Sequence, residues 1–328
     1  MLSYELRVMS EKKETTELLK LQNVKKYFSL KGGDVLKAVD DVSFAVHEAE
    51  VFGLVGESGC GKSTLGKLIL RLIEPTGGKI FFDGLDVLNA RGAELSKIRR
   101  GLQIIFQDPL ASLNPRMRII DTIGEALVVN NIVNRREVKD RVVNLLEKVG
   151  LDTDSLYKYS HEFSGGQRQR ICIARALAVN PRMIVADEPL SALDVSIQAQ
   201  IINLLEDLQK DSGLAFVFIS HNLFAIKHFS NNVAVMYLGK IVEMSGTDEL
   251  FREPMHPYTE ALLSAVPKPE VGEKGGRIIL EGDVPSPVHI PPGCPFHPRC
   301  HRRFEPCDTI VPVYKEAKRN RWVACHLW

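Results

Sequence analysis

The chain has 328 residues, 45% hydrophobic and 25% charged, with 42 Lys and Arg against 41 Asp and Glu and a net charge of +1. That is enough sequence for a large core with an ordinary globular composition. So even a charge balance leaves no footprint for nucleic acid or for an anionic membrane surface. No apolar run approaches the ~20 residues of a membrane-spanning helix. Residues 10–17 (SEKKETTE) are charged and no apolar signal stretch follows them. The sequence therefore predicts a cytosolic chain that meets a membrane only through partners.

Residues 1–17 read as a flexible lead. From residue 18 an apolar pattern opens with Leu19, Leu21 and Val24. A turn at Lys31-Gly32-Gly33-Asp34 and strands over 39–46 and 51–55 follow. Residues 62–73 (KSTLGKLILRLI) have helical periodicity and stop at Glu74-Pro75. Residues 79–107 read as strands around Asp83-Gly84, with a helical piece near 93–100. Residues 121–149 are mostly helical, with Leu145, Leu146 and Val149 on one face. A further helix starts after Ser164-Gly165-Gly166 and stops at Pro181. Strand 183–187, helix 195–210, strand 214–219 and helix 222–229 then alternate, the mark of a mainly parallel sheet. Residues 232–244 (VAVMYLGKIVEM, from Val233) read as an antiparallel pair turning at Leu238-Gly239. Beyond residue 250 the prolines from Pro254 to Pro298, Pro267 and Pro269 among them, exclude long regular elements, so 251–328 reads as a separate C-terminal region. No internal repeat is present.

Gly56-Glu57-Ser58-Gly59-Cys60-Gly61-Lys62-Ser63-Thr64 fits the phosphate-binding pattern G-x-x-x-x-G-K-[ST], placed after an apolar strand and before an amphipathic helix. Glycines let the backbone turn its N–H groups inward around phosphate oxygens, and the helix N-terminus adds more. Lys62 supplies a point charge for the β- and γ-phosphates, and Ser63 a hydroxyl for Mg²⁺. Cys60 fills a free position of the motif and reads as a bystander thiol. The buried strand 183–186 ends in Asp187-Glu188, where open α/β sheets bind ligands. Asp187 is suited to hold Mg²⁺ and Glu188 to polarise a water. Ser164-Gly165-Gly166-Gln167 offers a second anion site: a serine cap and two glycines that permit close approach of phosphate.

Taken together these motifs resemble the ATP-binding cassette (ABC) ATPases. His161-Glu162-Phe163-Ser164-Gly165-Gly166-Gln167 resembles the family signature L-S-G-G-Q, with Phe163 in place of the common Leu. Gln107 resembles the Q-loop glutamine, Asp194 the D-loop aspartate and His221 the switch histidine. The resemblance implies an α/β P-loop NTPase core with an antiparallel β subdomain, a helical subdomain and a small irregular C-terminal domain. The ATPase domain would span 18–250, with the helical subdomain at about 108–163. It implies ATP and Mg²⁺ (on Ser63, Gln107 and Asp187), with Glu188, His221 and Gln107 catalytic. Two ATP molecules would lie between the P-loop of one subunit and Ser164–Gln167 of another. An aromatic residue upstream of the P-loop stacks adenine in such proteins: Phe28 fits the strand alternation best, with Tyr27 as the alternative.

Residues 106–116 (FQDPLASLNPR), Tyr237-Leu238-Gly239, His256-Pro257-Tyr258-Thr259 and 262–267 (LLSAVP) resemble the ATPase subunits of dipeptide and oligopeptide importers, the F-type subunit more than its partner. That implies a second ATPase subunit (a copy or a paralogue), two membrane permease subunits and an extracytoplasmic peptide-binding protein, with no nucleic acid. The chain would sit on the cytoplasmic face of the membrane. Cys294, Cys300, Cys307 and Cys325 have the spacing C-x5-C-x6-C-x17-C, which lacks the short pair usual for zinc but suits four thiolates on a cluster. The importer resemblance implies a [4Fe–4S] cluster there. Zinc and free or disulfide-bonded thiols are the alternatives, and Arg299, Arg302 and Arg303 are candidate charge partners or plain surface. Cys172 reads as core.

Overall fold

The computed structural model describes residues 16–265 and 278–328. Most of the expected flexible lead, together with Pro267 and Pro269, lies outside the described residues.

Two sheets share the molecule. The first is antiparallel, in the order β2-β1-β4-β5. It is built from β1 (Glu17–Ser29), β2 (Val35–His47), β4 (Gly77–Phe82) and β5 (Leu85–Asp86). The second has eight strands in the order β11-β12-β10-β9-β3-β8-β7-β6. Five of these, β3 (Val51–Val55), β6 (Leu102–Ile105), β7 (Met183–Asp187), β8 (Ala215–Ile219) and β9 (Asn232–Tyr237), run parallel. Every residue of β3, β7 and β8 is buried, as expected for parallel strands covered on both faces. Alternate residues feed two cores. Phe216 and Phe218 join the apolar cluster on the helical side, and Ala215, Val217 and Ile219 join the one under the antiparallel sheet.

The helices bracket these strands. They are α1 (Lys62–Ile69), α2 (Gly92–Gly101), α3 (Pro109–Ser112), α4 (Ile119–Val129), α5 (Val138–Lys148), α6 (Gly165–Leu177), α7 (Val195–Ser212) and α8 (Leu223–Phe229). Two expected boundaries shift. The helix expected over 62–73 ends at Ile69 because Arg71 turns left-handed, at φ 51°, and its guanidinium reaches back to the carbonyls of Val87 and Ala90. The helix expected over 121–149 is two helices. Asn131, at φ 53°, ends the first, and Ile132 N–H closes it by donating to Leu127 O at 2.9 Å.

Proline spacing keeps the elements past residue 250 short. They are α9 (Thr247–Arg252), α10 (Pro257–Ser264), β11 (Lys315–Lys318) and β12 (Arg321–Val323), after β10 (Lys240–Gly246). Pro257 opens α10 where its missing N–H costs nothing. This region is bonded into the cassette rather than hung from it. Strand β12 pairs with β10, and Tyr258, Cys294, Phe296 and Cys307 belong to the same apolar cluster as β7 and β8. Glu243 of β10 has no solvent exposure and accepts the N–H groups of Met255 at 2.7 Å and His256 at 2.8 Å.

His256 itself is buried. Its Nδ1 accepts the Tyr258 N–H at 3.0 Å, so the ring is neutral, and burial depresses its pKa to about 3. An unfolded chain protonates this ring below its ordinary ~6.5 while the folded chain does not. Stability is therefore lost as pH falls from about 6.5 toward 3, at about 1.4 kcal/mol per pH unit. Urea unfolding should give a stability drop of about 2 kcal/mol between pH 6.5 and 5 that His256→Gln abolishes. Equal slopes in the two proteins would remove His256 from this role.

Candidate functional site

The parallel register gathers the site. Leu54 of β3 and Asp187 of β7 both pair with Ile219 of β8, and Ile105 of β6 pairs with Ala186. The loops that leave these strands therefore emerge side by side, carrying Gly56–Thr64, Gln107, Glu188 and His221.

The first loop is shaped by its contacts. A Cβ on Gly61, at φ +110°, would lie 2.1 Å from Ala38 O, so only glycine fits where the chain enters α1. No side chain caps α1, which leaves its first N–H groups facing the loop. Lys62 is buried and donates to the carbonyls of Gly56 at 2.8 Å and Glu57 at 3.0 Å. Ser63 Oγ donates to Asp187 Oδ1 at 2.8 Å. Burial raises the Asp187 pKa and neighbouring Glu188 adds to the rise, while Ser63 opposes it. Such a carboxylate gains by meeting a cation. The donor set, one hydroxyl beside one carboxylate, suits Mg²⁺. Mg²⁺ typically takes one or two carboxylates and completes its shell with waters and phosphates.

Glu188 is the focus of three loops. It sits at φ 46°, and its Oε2 accepts from Gln107 Nε2 at 3.2 Å and from His221 Nδ1 at 3.1 Å. A carboxylate only accepts, so Nδ1 of His221 carries the proton. The turn after Glu188 is tied down too. Gln198 donates to the carbonyls of Leu190 at 3.1 Å and Leu193 at 3.0 Å, and accepts from Asn222 at 3.2 Å. Asp194 opens α7 beyond that turn. Gln198 and Asn222 thus join the Asp194 loop to the His221 loop, a link invisible in sequence because neither residue belongs to a motif.

Ser164–Gln167 lie elsewhere. Ser164 and Gln167 cap each other reciprocally, the Gln167 N–H on Ser164 Oγ at 3.3 Å and the Ser164 N–H on Gln167 Oε1 at 2.9 Å. A Cβ on Gly166 would lie 2.6 Å from Ile197 Cγ2, so the glycine lets α6 and α7 touch, and Gly165 packs beside Leu193. Phe163 is buried in the helical-side core, where a ring serves as well as the common leucine. Among the described residues no hydrogen bond joins 164–167 to the P-loop.

Several smaller expectations are decided by burial. Tyr27 donates its hydroxyl to Asp40 at 2.5 Å, and that carboxylate also accepts from Lys240. Phe28 is 36% exposed, with Lys26 Nζ 4.9 Å from its centroid. Cys60 is buried and its thiol pKa is pushed up, which fits a bystander. Cys172 is core, beside Ser112. Arg299 is neither surface nor free to balance a cluster: its guanidinium makes a two-pronged pair with the Glu57 carboxylate at 2.8 and 3.0 Å.

The four C-terminal cysteines are free thiols lining one small pocket with His256 and Phe296. Burial raises Cys294 to about 11 and also raises Cys300 and Cys325, and the thiols add to one another's rise. As placed, they do not close into a single-ion group among the described residues.

Fold and site together define a P-loop ATPase of the cassette type. Residues 39–191 match the family described as ABC transporter, and residues 242–307 match the oligopeptide/dipeptide transporter C-terminal region. The chain is 50% identical over 321 residues to the oligopeptide transport ATP-binding protein AppF of Bacillus subtilis, covering 95% of this chain and 97% of the relative. It is 48% identical to a probable peptide ABC transporter ATP-binding protein of Sinorhizobium fredii, covering 94% and 90%. Among solved structures it resembles a dimeric post-hydrolysis state of the ATP-binding cassette MJ0796 bound to ADP and Pi, with a TM-score of 0.64 and 29% identity, over 70% of this chain and 98% of that one. The chain belongs to the ABC transporter family, among the ATP-binding proteins of its oligopeptide/dipeptide branch.

If Phe28 stacks the adenine, Phe28→Ala should weaken ATP binding about tenfold in a calorimetric titration. Tyr27→Phe should leave it unchanged and lower only the unfolding midpoint. The reverse pattern would move the platform to Tyr27.

Proposed function

We propose that this chain is the ATP-hydrolysing motor subunit of an importer for oligopeptides or dipeptides, working as one half of a head-to-tail ATPase dimer. The observation that carries the reading is the Glu188 carboxylate, held by Gln107 and His221 beside the Ser63–Asp187 pair and the P-loop. Peptide transport or import is what the names of its relatives state.

The reaction is in-line transfer of the γ-phosphoryl group of ATP to water, giving ADP and phosphate. Lys62 exchanges its loop carbonyls for β- and γ-phosphate oxygens. Ser63, Asp187 and Gln107 would hold Mg²⁺, which would supply charge neutralisation on the phosphates. Glu188 orients the attacking water and accepts its proton, and His221 and Gln107 keep the carboxylate aimed. The Ser164 and Gln167 N–H groups are taken by the reciprocal cap, so the N–H groups of Gly165 and Gly166 are the ones that complete the partner subunit's site. The dimeric state of a similar cassette supports that arrangement. Binding then closes the dimer and hydrolysis opens it.

The same reading assigns 18–250 to the ATPase cassette and about 108–163 to the helical subdomain on which a membrane subunit docks. Two permease subunits, a second ATPase subunit and an extracytoplasmic peptide-binding protein complete the assembly. No helix among the described residues is long and apolar enough to cross a membrane. The proposed assembly puts the chain at the cytoplasmic face, attached through the permeases. Glu188→Gln should cut ATP turnover by at least about a hundredfold and trap an ATP-loaded dimer on size exclusion. A variant that still turns over rapidly would take Glu188 out of the reaction.

We further infer that Cys294, Cys300, Cys307 and Cys325, in region 251–328, hold a [4Fe–4S] cluster. Support comes from four free thiols facing one pocket. Anaerobic purification should yield a brown protein with acid-labile sulfide, both lost in Cys300→Ser. A colourless protein with stoichiometric zinc would overturn the cluster.

A further inference from the structure

Glu57, the second residue of the P-loop, has all of its polar groups engaged. Its carbonyl accepts from Lys62 at 3.0 Å, its N–H donates to the Tyr258 hydroxyl at 2.9 Å, and its carboxylate takes both prongs of Arg299. Two of these three anchors come from the C-terminal region, 201 and 242 residues along the chain.

Both anchors are rigid. The Arg299 side chain is 7% exposed, so the paired guanidinium is nearly dry and the two-pronged bond is strong and directional. Arg299 ends the short turn His297–Arg299, immediately before Cys300. The Tyr258 ring has no solvent exposure and packs against Tyr237 at 4.7 Å and Phe296 at 5.3 Å between centroids. Phe296 in turn meets Tyr237 edge-on at 5.4 Å. One aromatic cluster thus joins the end of β9, the start of α10 and the cysteine segment.

The loop these anchors hold needs holding. Gly59 and Gly61 have positive φ, at 80° and 110°, and a segment so rich in glycine loses much entropy when ordered. We propose that Arg299 and Tyr258 are positioning residues for the nucleotide site, fixing Glu57 so that the P-loop stands phosphate-ready before ATP arrives. The proposal rests on the ATPase reading above. It makes the C-terminal region a determinant of nucleotide affinity. Neither residue belongs to the loops that carry Gln107, Glu188 and His221, so the effect falls on binding and not on turnover. ATP and ADP are affected alike, because both place a polyphosphate in the same loop.

The test uses the full chain, with Kd for Mg-ATP and Mg-ADP from calorimetry, kcat and KM from phosphate release, and the thermal midpoint as a check of folding. Arg299→Ala should raise both Kd values and KM about tenfold, with kcat within about twofold of the parent. Arg299→Lys keeps the charge but not the fork and should fall between the two. Tyr258→Phe keeps the packed ring and removes one hydroxyl, so it stays informative if Arg299→Ala fails to fold; it should raise Kd about threefold. Combining Arg299→Ala with Glu57→Gln should add nothing to Arg299→Ala alone. Folded Tyr258→Phe and Arg299→Lys proteins with unchanged Kd and KM, an additive double variant, or a loss confined to kcat would each overturn the clamp. A parent protein without ATP hydrolysis would overturn the ATPase reading instead.

Discussion

The register of the buried parallel strands is the constraint on which the rest depends. Ile219 pairs on one side with Leu54 and on the other with Asp187. Side chains alternate between two cores, so a slip of one residue would turn Phe216 and Phe218 out of the helical-side core. The same register sets the P-loop, the Asp187–Glu188 pair and His221 at one edge. Apolar packing thereby positions polar chemistry: the enzyme aligns its carboxylates by burying the valines and phenylalanines of the strands that lead to them.

Much of this was legible in the sequence because the motifs are local. A P-loop needs glycines at fixed offsets, a carboxylate pair needs a buried strand before it, and both demands leave marks within ten residues. Strand and helix order over 183–229 followed from alternation alone. What escaped were the contacts made at long range. Gln198 and Asn222 bond across 24 residues, and Arg299 reaches Glu57 across 242. No periodicity encodes such pairs, and Arg299 looked like one basic residue among several near the cysteines. A left-handed Arg71 and Asn131 stop the helices at Ile69 and Val129; arginine does not announce that turn, whereas asparagine does, and the apolar periodicity on either side of Asn130-Asn131 masked it.

The two anion-binding turns differ in how complete they are. The P-loop brings its own ammonium, Lys62, and its own hydroxyl, Ser63, and the Asp187 and Glu188 carboxylates stand beside it from the end of β7. Ser164–Gln167 bring only a capped helix start and two glycines, one of which is already used against Ile197. Under the proposed reading, a turn so sparsely equipped contributes by being delivered to a nucleotide already held. The link from Asp194 through Gln198 and Asn222 to the His221 loop runs beside that turn, because Gly166 touches α7.

The resting place of Lys62 shapes the energetics of the whole cycle. Its ammonium is already out of water and already satisfied by two carbonyls. Under the proposed reading, an incoming phosphate would not have to strip that charge of solvent; it would displace two neutral acceptors. The free energy available is the difference between two sets of bonds, smaller than the full strength of an ion pair in a dry site. When the γ-phosphate leaves, the same carbonyls stand ready to take the lysine back. A motor that must release its product on every stroke is served by a cation that has somewhere else to go.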